Sequence, residues 1–545
     1  MKSMDLKYIR EVFLWALLAT LGLFFMELLY ELFFVGKQFA AGKYVRFYSV
    51  IFLMIAFFLF SGSRIVSYFF SILFLSSISI SILFEDFFGR YIVPIDIWTF
   101  FHEYEDTFVG FVGKIENFAF PLSISIVGSV FIISILIIFF RKKRRISFGF
   151  ILITGVIAAI PAIPIINGKN FEPNLHYPYL RNGLNAFYFF AFKELPEQLL
   201  GRRSYTRYEP YQLLENSITP DWDVILIIGE SINYSHFSLF GYHKKTTPFL
   251  ASLKNDRQFI FLPSLSRGVD TRVGVPLIFN VLYEPDNVDE FHRMEANVFR
   301  LAKNRGYNTY YFSTQKSGVL ASHIGIGFID HFHDVKSTMM PEGGDDRRLL
   351  ALLQDFHLPG ESKSFIVLHQ RNSHFPYEDN YSSDYNEFID EPANSKEKMI
   401  AEYDNSIFFQ DSFFQQLFSY LDLKRKRPLL VVYASDHGEL FGEQGLWGHG
   451  HLSEQSARVP LLVKGMDMDQ AILEKFRGDA CFTTAYDVGK SIIHSLGWNL
   501  SNPNEDKNIY YINRTLPSAG KPIFRKYFVH RLESEICSQN EHYQK

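Results

Sequence analysis

Apolar residues crowd the first third of the chain and then thin to an ordinary globular density. Five stretches in that third are apolar over roughly the 20 residues a helix needs to cross the hydrocarbon layer. They are Phe13–Phe34, Tyr44–Phe60, Ile65–Phe84, Phe118–Phe140 and Ile146–Ile166. The second is short and needs Lys43 and Arg46 to snorkel. Further spans follow the first so closely that it does not read as a cleavable signal peptide. From Asp221 onward, short β-branched or apolar runs alternate with longer amphipathic stretches, the pattern of a mostly parallel sheet flanked by helices. The pattern predicts a five-helix transmembrane domain over residues 1–166, a linker with interfacial helices over 167–220, and an α/β domain over 221–545. Within the linker, Pro178–Leu200 mixes aromatics with Arg181, Lys193 and Glu197. That suits a helix lying on the membrane surface, or a plain connection.

Lys and Arg in short loops mark the cytoplasmic side. The run Arg141-Lys142-Lys143-Arg144-Arg145 lies between spans four and five, and Lys2, Lys7 and Arg10 put the N-terminus on the same side. The acid-rich loop from Glu85 to Glu116 fits the outer side, whereas Lys37, Lys43 and Arg46 run against this assignment. Five spans then place everything after Ile166 outside the cytoplasm. Glu27 and Glu31 stand one helical turn apart towards the outer end of span one. Acids inside a span are functional candidates; the plainer reading is that they sit at the interface and contact the outer domain.

At 545 residues the chain exceeds one core, and its 48% hydrophobic and 17% aromatic content, with 58 Phe, is concentrated in the spans. A net charge of −4 gives no reason to expect a nucleic-acid partner. Cys481 and Cys537 are the only cysteines. They are too few for a zinc–thiolate site, and can form one bridge if the domain is extracytoplasmic.

The chemistry gathers at predicted strand ends. Val224–Ile228 runs into Gly229-Glu230-Ser231, and Thr309–Phe312 into Ser313-Thr314-Gln315. Phe365–Leu368 precedes His369 and His374, and Leu429–Tyr433 delivers Asp436 and His437, with His449 twelve positions on. Open α/β sheets bind ligands beyond the carboxyl ends of their strands, so these groups are expected to converge. Carboxylate oxygen with imidazole nitrogen suits zinc or manganese. Thr271 stands where a loop meets the apolar, helix-like run Val275–Leu282. Taken alone it is the N-cap that such a junction ordinarily carries. Beside a cation it becomes a candidate nucleophile, since an alcohol needs its pKa lowered to attack.

These pieces together resemble the alkaline phosphatase/sulfatase superfamily, and within it the bacterial phosphoethanolamine transferases that include lipid A-modifying enzymes. The likeness rests on Gly229-Glu230-Ser231, Thr271 with Pro276, Asn372-Ser373-His374, Ser435-Asp436-His437-Gly438-Glu439 and Gly445-Leu446-Trp447-Gly448-His449-Gly450, in that order after five spans. The resemblance implies zinc, one or two ions, ahead of manganese. Glu230, Thr271, Asp436 and His437 would hold one ion, and His374 and His449 would contact the phosphoethanolamine group or a second ion. Thr314 and Gln315 would touch substrate. It also implies a ping-pong reaction at the bacterial inner membrane, with the catalytic domain in the periplasm. Thr271 attacks phosphatidylethanolamine, diacylglycerol leaves, and phosphoethanolamine passes to lipid A or another envelope glycan.

The chain departs from the family in having at most one disulfide and in placing Asp270 and Arg272 beside Thr271. No Cys-x-Pro-x-Arg occurs, which argues against sulfate ester hydrolysis. A glycerol-phosphate transferase of the lipoteichoic acid synthase type, or a related phosphodiesterase, would share the metal chemistry. His369 and His451 fit no role that the resemblance implies. His331 and His333, spaced like metal ligands, alternate as in a strand and read as structural.

Overall fold

The computed structural model describes residues 6–32, 41–88, 91–94, 96–97, 119–142, 144–167, 171, 173–174, 177–199, 206–317, 320, 323–335, 345–355, 362–388, 395–477, 481–519 and 522–539. The chain divides into two compact units, Met1–Ser204 and Tyr205–Lys545. Lys2, Lys37, Lys143, Arg202, Arg203 and the loop 98–118 lie outside the described residues.

The first unit carries five helices long and apolar enough to cross a membrane: Leu6–Tyr30, Ala41–Phe60, Arg64–Glu85, Ala119–Phe139 and Phe148–Ile166. The first begins seven residues before the apolar run predicts, because Glu11 has an ionic partner for its charge. Its carboxylate takes Arg144 at 2.7 Å and Lys142 at 3.2 Å, which ties the first helix to the basic loop. Residues 179–189 form an amphipathic helix packed against Arg64–Phe88. The backbone N–H of Leu180, in its first turn, donates to buried Glu27 at 2.6 Å, where a carboxylate meets the positive end of the helix. Tyr44 donates to Glu31. Both acids thus have partners inside the helical unit.

The second unit is built on one eight-stranded sheet: β1 (Asp223–Gly229), β2 (Phe259–Leu265), β3 (Asn308–Ser313), β4 (His331–His333), β5 (Ser364–His369), β6 (Leu429–Ser435), β7 (Arg458–Met466) and β8 (Thr483–Thr484). Their spatial order is β8-β2-β7-β6-β1-β5-β3-β4. Strands β6, β1, β5, β3 and β4 are mutually parallel, while β7 runs antiparallel to both neighbours. Central β1 has every residue from Val224 to Ile228 fully buried, as expected of a parallel strand covered on both faces. Each such side chain contributes about 1.5–3 kcal/mol when removed from water. On one face, Ile225, Ile227, Val431 and Tyr433 pack with Phe413, Phe414 and Leu417 of the long helix Ser395–Lys424. On the other, Phe299 lies against Phe365 and Phe279. His331 and His333 do lie on a strand, His331 stacked on Tyr310 and His333 tilted against Phe312.

Cys481 and Cys537 are joined by a disulfide, which links the start of β8 to the last helix, Val529–Gln539.

Candidate active site

Register brings the four strand ends level. Gly229 pairs with Ser435, Ile228 with His369, and Ser313 with His369. The chain therefore leaves β6, β1, β5 and β3 along one edge, and Asp436, Glu230, Gln370 and Thr314 follow directly. Ser231 turns the chain sharply after Glu230, at a φ of 58°. Side chains seldom adopt that conformation unless their surroundings enforce it. Here its N–H donates to Asp436 Oδ1 at 3.2 Å and its carbonyl accepts from the Tyr403 hydroxyl at 2.7 Å.

Thr271 is the first residue of the helix Thr271–Phe279 rather than its cap. Asp270 takes the capping role, its side chain accepting from Val273 N at 3.2 Å. This frees the Thr271 hydroxyl for the site, where it donates to Glu230 Oε2 at 3.1 Å and lies 3.4 Å from His437 Nε2. Glycine at 274 permits the approach, because a Cβ there would meet the Asp436 carbonyl oxygen at 2.2 Å.

Glu230, Asp436 and His437 are almost wholly buried, with one ligand atom from each lying within 4.8 Å of the others. The Oδ2 of Asp436 is buried without a hydrogen-bond partner, although burying such an oxygen unsatisfied costs about 1–3 kcal/mol. His437 Nδ1 lies 3.1 Å from the Gly438 carbonyl, which takes the N–H there and turns Nε2 towards Glu230 and Thr271. Burial alone would raise the Glu230 carboxyl, but His437 outweighs it by hydrogen bond and charge and holds it low. Burial and the Glu230 charge push Asp436 up. Burial would lower the His437 imidazole, yet the charges of Asp436 and Glu230 raise it to about 10. Two buried carboxylates this close favour a positive charge beside them, and three hard oxygens, counting the Thr271 hydroxyl, with one imidazole nitrogen fit a divalent cation.

A second group adjoins it. The His449 ring sits 4.6 Å from that of His437, and its Nδ1 is 3.0 Å from Glu439 Oε2. Glu439 also accepts from the Tyr377 hydroxyl at 3.1 Å. His437, Glu439 and His449 form another set able to hold a metal ion. Sequence reasoning assigned Glu439 no role of its own, although its place two residues after His437 was visible. His374 is half-buried beside Arg371, at 3.3 Å, and has no described hydrogen bond to the trio.

Gln315 spans the sheet edge. Its Nε2 donates to Glu230 Oε2 at 2.7 Å and to the Gln370 carbonyl at 2.6 Å. Thr314 turns away and donates to Asp346 at 2.5 Å. Buried Asp346 also accepts the backbone N–H groups of Arg371 and Asn372, so it braces the loop that carries His374. No motif pointed to Asp346. His369 is fully buried against Tyr311, Ser313 and Gln315, and burial lowers it to about 4, so it is neutral at physiological pH. His451 Nε2 lies 3.1 Å from the Trp447 carbonyl and braces its own loop.

The sulfatase family model matches residues 223–497. The Kdo(2)-lipid A phosphoethanolamine 7''-transferase of Salmonella typhimurium strain LT2 is 30% identical over 254 residues, 45% of this chain and 44% of that protein. The phosphoethanolamine transferase EptA of Helicobacter pylori is 27% identical over 42% of this chain and 44% of that one. The match therefore spans under half the length of these curated relatives. The integral membrane lipooligosaccharide phosphoethanolamine transferase A of Neisseria meningitidis aligns over 90% of this chain and 95% of its own, with 15% identity and a TM-score of 0.46.

Proposed function

Because the chain belongs to the sulfatase family, we propose that it is a metal-dependent transferase moving phosphoethanolamine from phosphatidylethanolamine to lipid A or another envelope glycan, by way of Thr271. The observation that carries this reading is the Thr271 hydroxyl, 3.1 Å from Glu230 and 3.4 Å from His437, at the open end of a helix. The similarity to a Kdo(2)-lipid A phosphoethanolamine transferase supports the substrate class.

Glu230, Thr271, Asp436 and His437 would hold one zinc ion. When bound, zinc supplies a lowered pKa for the alcohol and charge stabilisation on the phosphoryl group. The Thr271 hydroxyl, which is only partly buried, gives its proton to solvent, its oxygen bonds to phosphorus, and the bond from phosphorus to the diacylglycerol oxygen breaks. His449, whose affinity for a proton the Glu439 hydrogen bond raises, gives a proton to that oxygen. In the second half, the acceptor surrenders a proton to the neutral imidazole and displaces Thr271. Gln315 fixes the Glu230 carboxylate throughout. His374 stands by for the ethanolamine phosphate or an acceptor.

We place the protein in the bacterial inner membrane with its second unit in the periplasm. The basic loop pairing with Glu11 supports a cytoplasmic N-terminus, and the Cys481–Cys537 disulfide suits an oxidising compartment.

The test supplies the purified protein with phosphatidylethanolamine or phosphatidylglycerol in vesicles and follows diacylglycerol and the mass of the Thr271 peptide. Release from phosphatidylethanolamine with a phosphoethanolamine adduct on Thr271 is expected. Turnover of phosphatidylglycerol alone would make it a glycerol-phosphate transferase. Release without an adduct or acceptor would make it a hydrolase.

A further inference from the structure

Beyond the trio, the chain closes the second unit with a hairpin, Ile509–Asn513 against Phe524–Phe528, followed by the helix Val529–Gln539. This hairpin grips the loop that carries His449. Arg525 Nη1 and the Tyr527 hydroxyl both donate to the Leu452 carbonyl, each at 3.0 Å. Between hairpin, helix and loop lies a cleft of about 380 Å³, lined by Ser453, Glu454, Arg525, Lys526, Arg531 and Glu535. Ser453 is four residues from His449, so their Cα atoms are at most about 14 Å apart.

The charge of this cleft is positive. Glu454 is held in a two-bond pair by Arg458, at 2.9 and 3.0 Å, which offsets its charge. That leaves Arg525, Lys526 and Arg531 against Glu535. The Lys526 ammonium lies 5.7 Å and the Arg531 guanidinium 5.9 Å from the centre of the Phe528 ring, and that ring is 45% exposed. Cations beside an open aromatic face match a ligand with anionic groups on a saccharide: guanidinium and ammonium take phosphate oxygens, and the ring takes the C–H face of the sugar.

We propose that this cleft is the acceptor subsite, and that it binds the phosphate-bearing saccharide headgroup of the molecule to be modified. The assignment rests on the transferase reading above. It gives the donor and acceptor separate ground: the trio and Thr271 handle phosphoethanolamine, and the cleft a few residues beyond His449 holds what receives it. A bound phosphosaccharide would reach past His449 to present its accepting oxygen.

The test uses the full chain in vesicles and reads the two half-reactions apart. Lys526→Gln with Arg531→Gln, both exposed, is expected to leave diacylglycerol release and Thr271 modification unchanged. It should raise the KM for bisphosphorylated lipid A roughly tenfold, with kcat nearly constant. Lys526→Arg with Arg531→Lys keeps the charge and should restore the wild-type KM. With a dephosphorylated acceptor, wild type and the neutralised variant should perform alike. An unchanged KM for the phosphorylated acceptor would overturn the proposal. So would an equal loss of binding to anionic vesicles without acceptor, which would make the cleft a bilayer contact. If the wild type releases no diacylglycerol at all, the transferase reading fails instead. Calorimetric binding of the bisphosphorylated headgroup still decides the cleft: binding lost in the neutralised variant supports it, and binding retained overturns it.

Discussion

The hydroxyl of Thr271 donates to Glu230 at 3.1 Å across 41 residues of sequence. The contact exists because Asp270 caps the helix in its place. Thr271→Ala removes the oxygen proposed to attack and is expected to cut transfer at least a thousandfold, about 4 kcal/mol in barrier. Thr271→Ser keeps the oxygen and should retain measurable turnover and the adduct on residue 271. Intact-protein mass spectrometry with single-turnover kinetics checks both.

Gly274 controls how closely the helix that starts at Thr271 meets the backbone of Asp436, just past the end of β6. A methyl group at 274 would press on the Asp436 carbonyl at 2.2 Å, and backbone cannot swing aside as a flexible side chain can. Gly274→Ala should therefore destabilise the second unit by about 1–3 kcal/mol and reduce activity further than stability alone explains. Thermal melts and kcat, measured on the same preparation, separate the two effects.

Metal binding should release protons. In the metal-free site His437 is raised to about 10, so at pH 7 it carries a proton that a divalent ion must displace. Zinc affinity should then weaken as the pH falls, and calorimetry in buffers of different ionisation enthalpy should show net proton release. Chelation should abolish activity and zinc should restore it. An affinity independent of pH would contradict the described electrostatics.

The hydrogen bond to Glu439 raises the His449 imidazole more than burial lowers it. Glu439→Gln removes that support, so His449 loses its proton at lower pH. The alkaline limb of the pH–rate profile should move down accordingly. A second zinc held by His437, Glu439 and His449 would show instead as reduced metal stoichiometry in this variant.

Glu290 governs a stability effect remote from the chemistry. Burial raises its carboxyl to about 7 from an ordinary 4.5, and its Oε2 has no partner. The folded state therefore binds the proton more tightly than the unfolded chain. Its contribution is fully present below about pH 4.5 and is lost as the pH rises through 7, a fall of about 3 kcal/mol. Glu290→Gln should flatten that dependence, matching wild type near pH 4 and melting higher at pH 8.

Much of the architecture was legible because buried parallel strands are written as unbroken apolar runs. Val224–Ile228 and Leu429–Val432 announced themselves in this way, and the polar residues after them marked the sheet edge. Strands β2 and β7 were harder to read because Pro263 and Pro460 interrupt them, and proline within a run argues against a strand. In the fold the two prolines face each other. Each also lies outside the pairing with the strand on its other side, β8 or β6, so neither owes that neighbour an N–H. The start of the first membrane helix was misplaced because its ion pair with Arg144 is a contact across 133 residues. Asp346 was invisible for the same reason: its partners Thr314 and Asn372 lie 32 and 26 residues away, and no local pattern records them.

The bond between Cys481 and Cys537 makes the far end of the chain a passenger of the central sheet. In a cell whose export pathway cannot oxidise thiols, the polypeptide would still assemble its trio, which involves no sulfur. The rim built from the closing hairpin and helix would lose its covalent tie and rest on the packing of Tyr510, Ile512, Leu532 and Ile536 against Leu265, Ala457 and Phe482. Such a strain would weaken the proposed acceptor rim first and spare the proposed loading site.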